Sequence, residues 1–239
     1  MHYHPAMQEP QPIVLVPGLY ATPRFFEAQL PALWRFGPVT IADHTRDDSM
    51  AGIARRILAV SPTRFALAGH SMGGYIAFEM MRQAPERVAK LALLDTAARP
   101  DTPEQSERRR SQIAIAAGGR MQAIIELQLP VLVHPSHRTD AALRRRLELM
   151  AEETGAEAFI RQQSAIMSRP DSRPTLAAIR CPTLVLVGEQ DEVTPPDRAR
   201  EMAEGIAGAR LASVPDCGHM CAMEQPERVT QELTRWLEA

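Results

Sequence analysis

The sequence predicts an α/β fold: a mostly parallel sheet of about six strands flanked by helices, with one helical insertion. Three observations predict it. Short apolar runs bounded by Pro and Gly recur through the chain, and helical stretches alternate with them. Between about residues 99 and 178 the strand signal lapses and only helical periodicity continues. The 239 residues exceed a typical single domain, yet one core is common for α/β sheets of this length. The expected division is a core of residues 1–98 and 179–239 with an inserted cap of residues 99–178.

Pro12 to Val16 reads as a buried strand, because Ile13, Val14, Leu15 and Val16 are apolar on both faces and Pro17-Gly18 stops the run. Phe25 to Trp34 is expected to be helical and Val39 to Ala42 a second strand. Ser49 caps a helix that runs to Val60. Phe65 to Ala68 is the third strand, Met72 to Ala84 the next helix, ended by Pro85, and Leu91 to Leu94 the fourth strand. The insertion is expected to hold helices at Pro103–Ala117, Met121–Leu129, Thr139–Glu153 and Ala156–Met167, separated at Gly118-Gly119, Pro130 and Pro135 and closed by Pro170. Strands resume at Thr183–Val187 and Arg210–Val214. The helix Pro226–Glu238 sets Val229, Leu233, Trp236 and Leu237 on one stripe.

Composition narrows the function. The formal charge of −2 supplies no field to recruit nucleic acid or an acidic membrane surface, and no apolar run approaches a membrane span. Met1 to Pro12 is polar and proline-interrupted, unlike a secretory signal, so a cytoplasmic protein, monomeric or homodimeric, acting on a small molecule is expected. Cys181, Cys217 and Cys221 are too few for a disulfide framework. Cys217 and Cys221 bracket His219, but no second Cys/His cluster completes a zinc set, so no metal and no cofactor are expected.

The chemistry concentrates in Gly69-His70-Ser71-Met72-Gly73, a G-x-S-x-G pattern lying between a strand and a helix. Glycines two residues either side of Ser71 let the chain turn sharply, which lifts the hydroxyl above the sheet edge at a helix N-terminus. A serine needs a base and a group to orient that base. Among seven histidines, His219 follows the last strand on a Gly-containing loop and is the best candidate. His70 should point away from the serine oxygen, His44 is expected to be loop-exposed, His2 and His4 lie in the terminus, and His134 and His137 lie in the insertion. Asp191 is the carboxylate best placed after the strand Thr183–Val187. Glu189, Glu192 and Asp95 remain its rivals.

Backbone N–H groups of Leu19 and Met72 are the expected oxyanion donors, with Tyr20, His134 and Met220 lining the substrate pocket. Arg108-Arg109-Arg110 and Arg144-Arg145-Arg146 are expected to be solvated faces before they are carboxylate sites. Met121, Met150 and Met167 are expected to be filler.

Together, Pro17-Gly18-Leu19, Gly69-His70-Ser71-Met72-Gly73-Gly74, Gly188-Glu189-Gln190-Asp191 and Cys217-Gly218-His219 resemble the signature segments of the α/β-hydrolase family, over about residues 12–238. The resemblance is greatest to small bacterial carboxylesterases and enol-lactonases, which carry a helical cap. It implies an esterase working through an acyl-enzyme, with lactonase, carbon–carbon hydrolase, perhydrolase or acyltransferase chemistry open on the same residues. A ligand receptor that keeps them without turnover is the remote alternative. Two departures stand out. Pro17-Gly18 replaces the His-Gly of many relatives, and two N-terminal strands of the family have almost no counterpart, leaving six. A serine in the elbow argues against dehalogenase and epoxide hydrolase activity, which need aspartate there.

Overall fold

A computed structural model describes residues 10–239; Met1 to Glu9, including His2 and His4, lie outside the described residues. Six parallel strands form one sheet in the order β2-β1-β3-β4-β5-β6: β1 Ile13–Val16, β2 Val39–Ile41, β3 Phe65–His70, β4 Val88–Leu94, β5 Thr183–Gly188 and β6 Arg210–Val214. Successive side chains alternate between two apolar layers. Val14, Val16, Leu67, Leu91, Leu93, Val185 and Val187 face one layer, while Ile13, Leu15, Ala66, Ala68, Ala92, Leu94, Leu184 and Leu186 face the other. Burial on both faces explains why these strands read as continuous apolar runs.

The helices are α1 Leu30–Leu33, α2 Met50–Val60, α3 Met72–Gln83, α4 Pro103–Ala117, α5 Met121–Leu132, α6 Ala141–Met167, α7 Arg173–Leu176, α8 Pro196–Gly205, α9 Cys221–Glu224 and α10 Pro226–Glu238. α2, α3 and α8 supply Ile53, Ile57, Ile76, Phe78 and Met202 to the first layer. α10 supplies Val229, Leu233 and Trp236 to the second, which continues into Ile124, Leu147, Met150 and Phe159 of α5 and α6. Ser49 caps α2 by accepting from Gly52 N–H at 3.2 Å. Thr102 and Gln105 form a reciprocal capping box on α4.

Several expected elements differ. The helix expected over Phe25–Trp34 is instead a 3₁₀ turn, Pro23–Phe26, followed by α1. Pro31 is the reason, since within a longer helix its ring would clash with the carbonyl four residues back. α5 runs on through Pro130 to Leu132, because a proline in the last turn removes only one bond. The break expected between Glu153 and Ala156 is present, since α6 is two helical stretches meeting at Gly155, whose φ of +73° and ψ of 163° interrupt the ladder. α8 and the one-turn helices α7 and α9 are additional to the sequence reading.

The chain passes from β1 to the edge strand β2 and returns to β3 on the opposite side of β1. The strand order reverses at β1, and in parallel α/β sheets ligands bind beyond the carboxyl ends of the strands at such a switch point. Residues 17–20 follow β1 and Ser71 follows β3 at that edge.

Candidate active site

Ser71 follows β3 and precedes α3 with φ 51° and ψ −114°, a backbone state costly to an L-residue. Neighbouring contacts enforce it. A Cβ at Gly73 would meet the Val16 carbonyl oxygen at 2.0 Å, and one at Gly69 would meet the Gly73 carbonyl oxygen at 2.3 Å, so only glycine fits on either side. Ser71 N–H donates to Leu94 O at 2.9 Å, and Thr96 Oγ1 donates to Ser71 O at 2.7 Å. The serine is therefore held from β4 as well as by its own turn.

His219 lies with Nε2 2.9 Å from Ser71 Oγ and Nδ1 2.8 Å from Asp191 Oδ2. A carboxylate only accepts, so the proton sits on Nδ1 and the Nε2 lone pair faces the serine O–H. Asp191 is completed by Val193 and Thr194 N–H on Oδ1, at 2.8 and 2.9 Å, and by Thr194 Oγ1 on Oδ2 at 2.7 Å. Burial alone would favour neutral forms of both groups. The mutual charge outweighs it, so His219 lies above the ordinary histidine value and Asp191 below the ordinary carboxylate value.

Two buried side chains hold the His219 loop, of which Glu224 was absent from the sequence reading. Glu224 accepts from Gly218 and Met220 N–H through Oε1, at 3.0 and 3.1 Å. Its Oε2 accepts from His134 N–H at 2.6 Å and from His137 Nδ1 at 2.9 Å. His70, expected only to turn away from the serine, donates Nε2–H to His219 O at 2.9 Å and stacks on Phe25. Burial drives its pKa down to about 3, so it donates as a neutral ring. Gln190 completes the frame through Cys217: its N–H donates to Cys217 O at 2.9 Å and its Oε1 accepts from Cys217 N–H at 3.0 Å.

Of the rival carboxylates, Glu189 and Glu192 are exposed, and Glu192 pairs with Arg138. Asp95 is buried near the pair. One of its oxygens accepts from Gly188 N–H at 2.8 Å and the other has no partner among the described residues. Burial, reinforced by the Asp191 charge, holds Asp95 well above the usual carboxylate range, which favours its neutral form. Cys217 and Cys221 are fully buried thiols pushed upward by the same desolvation.

The turn 17–20 lies against the serine, since a Cβ on Gly18 would be 3.2 Å from Ser71 Cβ. Among the described residues, neither Leu19 N–H nor Met72 N–H donates to a protein acceptor. Tyr20 is buried with φ +43°, and its hydroxyl donates to Gln128 Oε1 at 2.6 Å. Met220 is buried, whereas the His134 ring bonds Ser136. His44 corrects the expectation of a loop-exposed ring. It is 2% exposed and Nε2 donates to Gly18 O at 2.8 Å, because the loop after β2 folds back over β1.

The arginine runs are largely paired. Arg109 bonds the buried Asp101 and Gln163, Arg110 pairs with Glu107, and Arg144 and Arg145 pair with Glu148. Arg146 donates to Arg24 O. Met150 is core, and Met121 packs against it. No helix among the described residues is long and apolar enough to cross a membrane.

Residues 13–232 match the alpha/beta hydrolase family. A thermophilic esterase from Thermogutta terrifontis superposes with a TM-score of 0.86 at 32% identity, over 95% of this chain and 89% of that one. A hydrolase from Pseudomonas aeruginosa gives 0.86 at 26% identity, over 97% and 91% of the two chains. The 2-hydroxy-6-oxononadienedioate/2-hydroxy-6-oxononatrienedioate hydrolase of Escherichia coli K12 is 27% identical over 215 residues, 85% of this chain and 73% of that protein. An enol-lactonase from Burkholderia xenovorans shares the fold with a TM-score of 0.86 at 23% identity, over 98% of this chain and 94% of that one. The match spans most of the sheet and of the chain, and the chain belongs to the alpha/beta hydrolase family.

Proposed function

We propose that the protein is a serine hydrolase that cleaves carboxylic esters of small or medium acyl groups through an acyl-enzyme. Ser71 is the nucleophile, His219 the general base and Asp191 the residue that fixes the imidazole tautomer. The observation that carries this reading is the imidazole of His219 spanning from Ser71 Oγ to Asp191 Oδ2. Likeness to the Thermogutta terrifontis esterase, at 32% identity, supports the ester as the bond cleaved.

In the proposed reaction Ser71 Oγ attacks the ester carbonyl as its proton passes to His219 Nε2. Asp191 stabilises the imidazolium that forms. The carbonyl oxygen becomes an oxyanion received by the Leu19 and Met72 N–H groups. The tetrahedral intermediate collapses, the alkoxide leaves with the proton from His219, and Ser71 stays acylated. Water activated by the same histidine then releases the acid and restores the serine. Residues 99–178 act as a cap. Tyr20, the residue after Leu19, belongs to the same apolar cluster as Ile124, Ile125, Leu147 and Phe159 of that segment, which suits an acyl chain.

Turnover of p-nitrophenyl butyrate tests this. Ser71→Ala is expected to abolish it while leaving the thermal unfolding midpoint near that of the parent, and a fluorophosphonate should label Ser71 alone. Turnover that survives the substitution would overturn the reading. The E. coli relative supports a second bond class, carbon–carbon hydrolysis, so a panel of esters, lactones and vinylogous diketones should rank esters first.

A further inference from the structure

The segment between β1 and the 3₁₀ turn at Pro23 is neither strand nor helix, so no ladder fixes the direction of its amides. Leu19 lies between two peptide planes, Gly18–Leu19 and Leu19–Tyr20, and each is gripped by a different buried side chain. The Gly18 carbonyl accepts His44 Nε2–H at 2.8 Å, together with Ala21 N–H at 3.1 Å. Tyr20 N–H donates to Gln162 Oε1 at 3.0 Å. Thr154 Oγ1 donates to Tyr20 O at 3.1 Å on the next plane. Gln162 Nε2 also reaches the His44 carbonyl oxygen, at 3.5 Å, so the two side chains belong to one network.

Geometry gives the first contact its consequence. Carbonyl and N–H of a trans peptide point in opposite directions in one rigid plane. Fixing the Gly18 oxygen from one side therefore aims the Leu19 N–H at the other. That N–H has no protein acceptor among the described residues, and its turn abuts Ser71. Fixing the Tyr20 N–H sets the following plane, and with it the left-handed φ of +43° at Tyr20. Leu19 is thus clamped from both flanks. Packing alone does not account for the choice of side chains. His44 is buried with Nδ1 lacking a partner among the described residues, and Gln162 is fully buried. An apolar residue would fill either space but would leave Tyr20 N–H without its acceptor, or Gly18 O with Ala21 N–H alone, so each polar side chain serves a backbone group of this turn.

We propose that His44 and Gln162 are positioning residues that orient the Leu19 N–H as an oxyanion donor, His44 from the core and Gln162 from α6. The inference rests on the reading of Ser71 as nucleophile and Leu19 as oxyanion donor. Neither side chain touches the reacting atoms. Both act through the backbone, and Gln162 makes the oxyanion site depend on the helical insertion, 142 residues away in sequence.

The test compares His44→Leu, which removes the donor, with His44→Gln, which keeps an N–H at the Nε2 position, and with Gln162→Met. Turnover of p-nitrophenyl butyrate is normalised to active sites titrated by fluorophosphonate, and affinity for phenylboronic acid, a tetrahedral adduct former, is measured alongside. His44→Leu is expected to lower kcat by ~10–100-fold, somewhat less than loss of an oxyanion donor outright. KM should stay near the parent value, and boronate affinity should fall by the same factor as kcat. His44→Gln should recover most of both losses, and Gln162→Met should show the same paired loss at smaller size. A parental kcat per active site in both His44→Leu and Gln162→Met overturns the proposal. So does a loss that His44→Gln leaves unrepaired or that boronate affinity does not follow. Should His44→Leu not fold, the paired loss in Gln162→Met decides. Turnover surviving Ser71→Ala would instead strike the nucleophile assignment, so the two failures are distinguishable.

Discussion

His219 Nδ1 and Asp191 Oδ2 stand 2.8 Å apart and buried, and each shifts the other towards its charged form. Activity and stability acquire opposite pH limbs from this pair. The proposed base works only when Nε2 is unprotonated, so kcat/KM should rise with pH through an inflection above the ordinary histidine value of 6.5. For stability, His219 has a raised folded value. Its contribution is complete below 6.5 and is lost as pH rises through that folded value. Asp191 has a lowered one, so its contribution is present above 3.8 and is lost as pH falls through its folded value. A pH–rate profile of p-nitrophenyl butyrate hydrolysis, with unfolding midpoints over the same range, checks both signs. An inflection at or below 6.5 contradicts them.

Asp191→Asn should cut kcat by up to ~10⁴-fold, because an amide can present its NH₂ to Nδ1 and favour the wrong tautomer. Steady-state kinetics with active-site titration measure it. Asp95 is available nearby but lacks the contact to Nδ1, so residual activity in Asp191→Asn should fall little further in Asp95→Asn/Asp191→Asn. A large further drop would show Asp95 serving as a second acid.

What was legible in the sequence follows from how local each constraint is. The elbow was readable because Gly69 and Gly73 leave their signature within five residues of Ser71, and because a strand and a helix frame it. The strands were readable because burial on both faces leaves unbroken apolar runs. His44, Gln162 and Glu224 were not readable. His44 and Gln162 work through contacts 26 and 142 residues away, and Glu224 joins its own loop to His134, 90 residues away; nothing near them in sequence announces a buried polar side chain. α8 escaped because only Ala199 and Met202 of its ten residues are buried, too few to mark a period. Pro31 did carry a signal, a proline in mid-helix, against the expected Phe25–Trp34 helix.

Glu224→Gln should loosen the His219 loop. The carboxylate accepts four donors, whereas an amide has one acceptor oxygen and sets an NH₂ against at least one of them. The expected cost is about 1–3 kcal/mol of stability, read by urea unfolding, with a fall in kcat as the ring loses its fixed position. Unchanged stability would mean that the bonds to Gly218 and Met220 are dispensable.

Asp95→Asn should stabilise the protein, and increasingly so as pH rises. Asp95 is buried beside the negative Asp191, and its folded value lies well above 3.8. Between 3.8 and that raised value the unfolded chain releases this proton while the folded chain keeps it, so the wild-type carboxyl costs stability progressively with pH. Asparagine carries no proton to retain. Its oxygen can still accept from Gly188 N–H, the contact that Asp95 makes at 2.8 Å. The midpoint difference between variant and parent should therefore be small near pH 3.5 and widen towards pH 8. A difference that stays flat across that interval would mean Asp95 is ionised in the folded protein, and that the charge beside Asp191 is tolerated by some other contact.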